Sequence, residues 1–183
     1  QAAADAAQAA ADAQAAADAE AQAGLCPDKI VKGGTFETQE ELNELSGCTK
    51  IEGDLIIQKF TTSTIDFSVF NCLKEITGRI EIVGNTALTA ISGFAKLTKI
   101  GAGITPFLES GITTPTSIVI TNNSELKTIA GFGALETVDG NFFIFKNPEL
   151  KTIPGFGVLE TVDGSFIISD NAKLASIPIT GFG

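Results

Sequence analysis

Apolar and polar positions follow a pattern that repeats along most of the chain. Residues 126–149 (LKTIAGFGALETVDGNFFIFKNPE) are followed directly by residues 150–173 (LKTIPGFGVLETVDGSFIISDNAK), so the period is 24 residues. Partial copies occupy residues 48–60, 72–103, 117–125 and 174–183, the third of them after an insertion of about 14 residues. Self-similarity at such a period is typical of solenoids, in which each repeat forms one coil.

Each copy contains a short segment in which apolar residues alternate with a period of two, as in a strand with one buried face. A second apolar pair follows in the form L-x-x-I. Because one coil cannot bury its own core, the coils must stack. The pattern predicts a mainly β fold, a right-handed parallel β-solenoid of about five coils. The strand pairs are Leu55/Ile57, Ile80/Ile82, Ile118/Ile120, Phe142/Ile144 and Phe166/Ile168.

An asparagine recurs three residues after the last inward isoleucine of four strands. An inward amide at this position bonds the backbone groups that are freed at the turn, so we expect a ladder of stacked asparagines. A glycine precedes each strand, where a positive φ or a close backbone approach is usual. The asparagines are Asn85, Asn123, Asn147 and Asn171, and the glycines are Gly53, Gly78, Gly140 and Gly164.

Residues 1–24 have a different composition, with 15 alanines and neither proline nor an internal glycine. Alanine is the best helix former, so we predict an Ala-rich α-helix that ends at Gly24. Its role stays open between a spacer, a helix that docks on a partner subunit, and an ice-binding surface, for which regular threonines are missing. The predicted domains are this helical segment, 1–24, and the solenoid, 25–183.

The outward side of the strands is unusually apolar. Solvated strands carry polar groups there, and a contiguous apolar patch usually marks an interface. Three alternatives could cover this surface. The first is the Ala-rich helix or the loop 101–116 of the same chain, and the second, which we favour, is a partner subunit. The third is a small ligand bound in a groove. The six apolar residues of this outer surface are Ile56, Val83, Val119, Phe143, Phe145 and Ile167.

The composition excludes several classes of functional site. The chain has no histidine, which excludes catalytic and zinc sites built on imidazole, and its net charge of −10 with only 12 Lys and Arg disfavours nucleic-acid binding. No apolar run approaches the ~18–20 residues of a transmembrane helix. Asp139-Gly140 and Asp163-Gly164 lack the acidic spacing of a calcium loop and are predicted as turns. We therefore expect no enzyme activity, no cofactor and no metal site.

The start of the solenoid resembles a known family. Cys26 and the segment GGTFETQEELNELSGCTKIEGDLIIQ, together with the LxxIxG repeats, resemble the receptor L domain of insulin- and EGF-receptor ectodomains and of fungal cell-wall proteins. The resemblance covers roughly residues 25–183 and implies a disulfide between Cys26 and Cys48 that closes an N-terminal cap, 25–50. It also implies an extracellular binding or structural role. Independently, Thr38-x-x-Glu41 is a capping box that begins a helix.

Two further residues are candidates for covalent modification. Cys72 falls at a position that tolerates polar groups in other coils, so it is either an unpaired, half-buried thiol or part of an intermolecular disulfide. Asn122-Asn123-Ser124 is the one N-glycosylation sequon in the sequence, and Asn122 is the candidate acceptor.

These patterns together predict a secreted, extracellular structural protein whose signal peptide has been removed, since the sequence begins at Gln1. We expect a homo-oligomer or polymer that forms a surface filament, sheath or wall layer through the outer surface and the N-terminal helix. The alternative is a cell-surface recognition or adhesion module that binds a protein or a glycan through the same sheet. A fungal-type cell-wall protein without its anchor is a third hypothesis.

Overall fold

The computed structural model describes residues 26–104, 115–154 and 156–175, and the Ala-rich helix predicted for residues 1–24 lies outside them. In this part of the chain, short strands alternate with turns, and one α-helix and one 3-10 helix lie near the start. The elements are β1 (Ile30–Phe36), α1 (Gln39–Asn43), β2 (Lys50–Gln58), the 3-10 helix (Phe67–Phe70), β3 (Glu75–Ile76), β4 (Ile80–Val83), β5 (Ala90–Ile91), β6 (Lys99–Ile100), β7 (Gly103–Ile104), β8 (Pro115–Thr121), β9 (Thr128–Ile129), β10 (Thr137–Val138), β11 (Asn141–Phe145), β12 (Thr161–Val162) and β13 (Phe166–Ser169).

The strands stack in parallel from coil to coil and form three walls. The first half of β2 pairs with β3, and β6, β10 and β12 continue this first wall. The second half of β2 pairs with β4, and β8, β11 and β13 continue the second wall. The third wall consists of β5, β9 and a bridge from Thr128 to Thr152. The predicted parallel β-solenoid of about five turns with a 24-residue repeat is confirmed.

The core runs along the solenoid axis. The inward pairs of β2, β4, β8 and β11 are 0–1% exposed, as the alternation predicts. Phenylalanines form a column through it: the Phe70 and Phe94 rings stack at 5.0 Å, and Phe94 and Phe132 at 5.1 Å. Stacked aromatic pairs at this spacing add about 0.5–1.5 kcal/mol each beyond the area that they bury. The column therefore ties neighbouring coils together.

A short helix packs at the N-terminal end of the core. Thr38 is the N-cap of α1: its Oγ1 accepts a hydrogen bond from Glu41 N at 3.3 Å, and Glu41 Oε2 accepts one from Thr38 N at 3.0 Å. The predicted capping box is thereby confirmed. Leu42 and Leu45 lie on the buried side of this helix, at 0% and 4% exposure.

The disulfide joins Cys26 to Cys72, with their Cα atoms 5.3 Å apart, so the predicted Cys26–Cys48 pairing is wrong. Cys48 is a buried free thiol, and Cys72 is neither unpaired nor intermolecular. The reason is the repeat itself: Ile51 pairs with Ile76, which puts Cys48 at the core-facing position that Leu73 occupies one coil later. Cys72 directly precedes that position and, although it is only 7% exposed, is bonded to Cys26.

Gly53 and Gly78, which precede strands, show the two expected reasons for glycine at this position: a positive φ and a close approach of the backbone. Gly53 adopts a φ of +96°, a conformation that residues with a side chain rarely take. A Cβ on Gly78 would lie 2.6 Å from the carbonyl oxygen of Gly53, because adjacent coils touch there.

The insertion between β6 and β8 departs from the parallel pattern. At its two described ends, Gly103 and Ile104 of β7 pair antiparallel with Thr116 and Pro115 of β8. Within the part of the chain that the structure describes, no helix has the length and apolar character needed to cross a membrane.

Candidate ligand-binding surface

The outward residues of the second wall form two adjacent rows. Strand register aligns Ile56, Glu81, Val119, Phe143 and Ile167 in the first row. The second row contains Gln58, Val83, Thr121, Phe145 and Ser169. The six apolar residues predicted from the sequence therefore lie together on one surface of the solenoid.

This outer surface is closed in its middle and open at its ends. Val83, Val119 and Phe143 are buried within the chain itself, at 6%, 3% and 8% exposure. Ile56 and Phe145 are half-buried, and Ile167 is 45% exposed. Of the six residues, a partner molecule can reach only Ile56, Phe145 and Ile167.

A buried ion-pair network lies in the closed part. The Arg79 guanidinium contacts Glu81 Oε2 at 3.0 Å and Asp54 Oδ2 at 3.2 Å, and it also donates a hydrogen bond to the carbonyl oxygen of Ile104. The side chains of Arg79 and Glu81 are 8% and 4% exposed. The network joins β4 to the first residues of the insertion. Sequence reasoning placed Glu81 on the outward side but missed its partner, although the Arg-x-Glu spacing puts both residues on the same side of a strand.

The open end that lies farther along the chain is on β11, β13 and the residues that follow them, and we call it the open patch: Phe145, Lys146, Ile167, Ser169 and Asp170. Lys146 Nζ lies 5.9 Å from the centre of the Phe145 ring, and Ser169 Oγ hydrogen-bonds Asp170 Oδ2 at 3.3 Å. An aromatic ring, an aliphatic side chain, one charge of each sign and a hydroxyl thus lie within two adjacent coils. Such a set can contact a protein side chain or the apolar side of a sugar ring.

The four predicted ladder asparagines stack at the C-terminal ends of the strands of the second wall. The backbone N of Asn85 donates to Asn123 Oδ1 at 3.0 Å, that of Asn123 to Asn147 Oδ1 at 3.1 Å, and that of Asn147 to Asn171 Oδ1 at 3.0 Å. Each Nδ2 donates to a carbonyl of the preceding coil, as Asn85 does to Ile57 at 3.0 Å. The ladder fixes the turn that follows each strand, and so it positions the residues of the open patch.

The sequence model of the receptor L domain matches residues 47–153, more than half of the chain. The chain belongs to the receptor L-domain family. No curated protein matches it. The receptor L domain is a non-catalytic binding domain, and this membership together with the Cys26–Cys72 disulfide indicates an extracellular domain. The match begins at Gly47, so it leaves out α1 and Cys26.

The turns before β11 and β13 of this L domain enclose a shallow pocket of about 290 Å³. Asp139 and Asp163 line it, and Asp139 is held by Lys99 at 3.1 Å. Among the described residues, no group of three or more acidic, histidine or cysteine side chains is arranged to hold a metal ion. The two Asp-Gly sequences lie at the turns between the first and second walls.

The shifted pKa values of the L domain have local structural causes away from the open patch. Burial raises the pKa of the Cys48 thiol, and the nearby Lys29 charge opposes that effect. A hydrogen bond from Lys173 lowers the pKa of Glu149. Backbone hydrogen bonds from Glu37 and Thr38 lower the pKa of Glu41, in keeping with its capping role. The two lowered pKa values favour the charged carboxylates of Glu41 and Glu149, and the raised pKa favours the neutral thiol of Cys48 in the core.

Proposed function

We propose that this chain is an extracellular recognition module that binds a protein or a glycan through the open patch. Secretion is part of this proposal. The observation that supports it most is the contrast within one surface: its middle is buried, whereas Phe145 on β11 and Ile167 on β13 stay accessible.

The residues of the open patch are more typical of a binding surface than of an ordinary solvent-exposed strand surface. Outward positions of solvated strands are usually polar, but Ile167 is aligned with Phe143, which is itself 8% exposed. Apolar surface that extends from a buried residue to an exposed one provides a ready centre for a contact, with Lys146 and Asp170 as its polar rim.

The test measures binding of the purified protein to panels of immobilised glycans and extracellular proteins. Ile167→Asp should weaken binding to any ligand found by about tenfold or more, because 1.4 kcal/mol corresponds to tenfold and buried contacts at an interface centre commonly exceed that energy. Val158→Asp is the matched control, because Val158 is also 45% exposed but lies outside the second wall. If both variants bind as the unmodified protein does, the open patch is not the binding site.

Self-assembly into a filament, sheath or wall layer stays a prediction and has less support than recognition. The interface was expected to use six residues, and burial removes Val83, Val119 and Phe143 from it. Sedimentation velocity of the purified protein distinguishes the two functions. Large polymers that Ile167→Asp disperses would favour assembly, and a monomer would favour recognition. Phe143 is a poor site for such a variant, because an aspartate there would be buried.

A further inference from the structure

One position on the second wall repeats in every described coil, and two of its residues, Lys146 and Asp170, also belong to the open patch. The residue that follows each strand of the second wall has a positive φ, between 54° and 64°. In chain order these residues are Lys59, Gly84, Asn122, Lys146 and Asp170. The next residue along the chain in the last four coils is a ladder asparagine. The solenoid therefore presents an outward column directly beside an inward one.

Asn122 belongs to the outward column, and its neighbour Asn123 belongs to the ladder. Asn123 is 0% exposed, and its Nδ2 donates to Ile82 O at 3.0 Å and to Thr121 O at 3.1 Å. Asn122 is exposed, and its side chain makes no hydrogen bond within the described part of the chain. Asn122 is also the first residue of the Asn-x-Ser sequon. We propose that Asn122 Nδ2 carries an N-linked glycan.

The folded coil leaves room for a sugar at this position. Because β8 pairs with β4 on one side and with β11 on the other, Asn122 lies between Gly84 and Lys146 in the outward column. Gly84 has no side chain, and a Cβ built on it would meet nothing within 4 Å. The first sugar can therefore lie over the Gly84 side without displacing any packed group.

The attachment step balances as an ordinary glycosyl transfer. The donor is an oligosaccharide linked through a diphosphate to a lipid, and the enzyme is the membrane transferase of the secretory route. Asn122 Nδ2 forms a bond to the anomeric carbon of the first sugar, while the bond from that carbon to the phosphate oxygen breaks. The lipid diphosphate leaves with the electron pair of that bond, and a base of the transferase takes the proton from Nδ2.

The fold also indicates when the transfer occurs. Ser124 Oγ donates a hydrogen bond to the carbonyl oxygen of Thr86 at 3.0 Å, and Asn123 is locked in the ladder. The sequon is therefore rigid and its hydroxyl is occupied once the third coil has formed. Transfer must precede closure of that coil, so the nascent chain is the acceptor.

The test is intact-mass spectrometry of the full chain secreted from a eukaryotic cell, before and after treatment with peptide N-glycosidase. The expected result is one glycan whose removal converts Asn122 to aspartate. Asn122→Asp and Ser124→Ala should both lack it, and Ser124→Thr should retain it. Asn122→Asp is a suitable variant because Asp170 adopts the same φ two coils later, so the backbone tolerates it.

Secreted, folded protein without sugar on Asn122 would overturn the proposal. So would a glycan that persists in the Ser124→Ala variant, since the modification would then not depend on the sequon. Failure here leaves the proposed recognition function untouched, because that test depends on Ile167 and this one depends on Asn122.

Discussion

The Asn147→Ala variant tests whether the asparagine ladder contributes stability. Asn147 lies inside the ladder and is 0% exposed. Its Nδ2 donates to the carbonyl oxygen of Ile120 at 3.0 Å, and its Oδ1 accepts a hydrogen bond from the backbone N of Asn123 at 3.1 Å. Alanine removes both interactions and leaves a buried carbonyl and a buried N–H without partners.

The expected loss follows from these two groups. An unsatisfied buried donor or acceptor costs about 1–3 kcal/mol, so Asn147→Ala should lower the free energy of unfolding by about 2–6 kcal/mol. Domains of this size are stable by about 5–15 kcal/mol in total, so the change is large enough to measure and is compatible with a folded variant. The ring contacts of the phenylalanine column do not involve Asn147 and should persist.

Urea unfolding followed by circular dichroism measures this difference, and Asn171→Ala is the graded control. Asn171 makes equivalent contacts, with Nδ2 donating to Ile144 O at 3.0 Å, but it is only half-buried, so water can replace part of what is lost. The loss for Asn171→Ala should therefore be smaller. If Asn147→Ala costs no more than Asn171→Ala, or less than about 1 kcal/mol, the buried hydrogen bonds of the ladder do not stabilise the solenoid.

Two further predictions concern the covalent and ionic links of the first coils. Peptide mapping without reductant should recover Cys26 joined to Cys72, and Cys48 should react with a maleimide only after unfolding; a Cys26–Cys48 peptide would refute the pairing. Reduction should lower the free energy of unfolding by about 4 kcal/mol, from the entropy of closing a loop with a sequence separation of 46. Arg79→Met should cost about 3–5 kcal/mol in urea unfolding because it leaves the Glu81 carboxylate buried without a cation, and Arg79→Met/Glu81→Leu should recover much of that loss. A single variant as stable as the unmodified protein would show that the network contributes nothing.

Much of the fold could be predicted because the repeat applies the same local rules in every coil. Alternation identified the inward pairs Leu55/Ile57 and Ile80/Ile82, and the Thr38-x-x-Glu41 spacing identified the helix start. These features depend on strand geometry and on neighbours within a few residues, so the pattern of residue types is sufficient. Register then follows, because a 24-residue period brings equivalent residues into contact.

The resemblance to the family implies the wrong disulfide, whereas the repeat itself indicates the position of Cys48. Cys48-x-x-Ile51-x-Gly53 has the spacing of L-x-x-I-x-G, so Cys48 stands where a leucine stands in other coils. A residue at that position faces the core, and its exposure is 0%. The sequence therefore contained the signal that Cys48 is a core residue, and Cys72 was the remaining partner for Cys26.

The accessibility of the outer surface could not be predicted in the same way, because it depends on contacts that the repeat does not encode. Strand alternation correctly places Val119 and Ile167 on the same side, yet one is 3% exposed and the other 45%. The difference arises from position along the solenoid and from side-chain pairs such as Arg79 and Glu81, which are particular to one coil.

The difference between the closed and open parts of this surface coincides with the one interruption of the repeat. The insertion leaves the coil after β6, pairs antiparallel with β8 at Gly103 and Ile104, and accepts a hydrogen bond from Arg79. The outward residues Val83 and Val119 of β4 and β8, which lie beside the insertion, are buried, whereas Ile167 of β13, two strands beyond β8 in the second wall, is exposed. In solenoids the repeats form the scaffold, and insertions make the surface of one coil different from that of its neighbours. If the open patch binds a ligand as proposed, its specificity should depend on the exposed residues in which β11 and β13 differ from the earlier strands, such as Phe145 and Ile167.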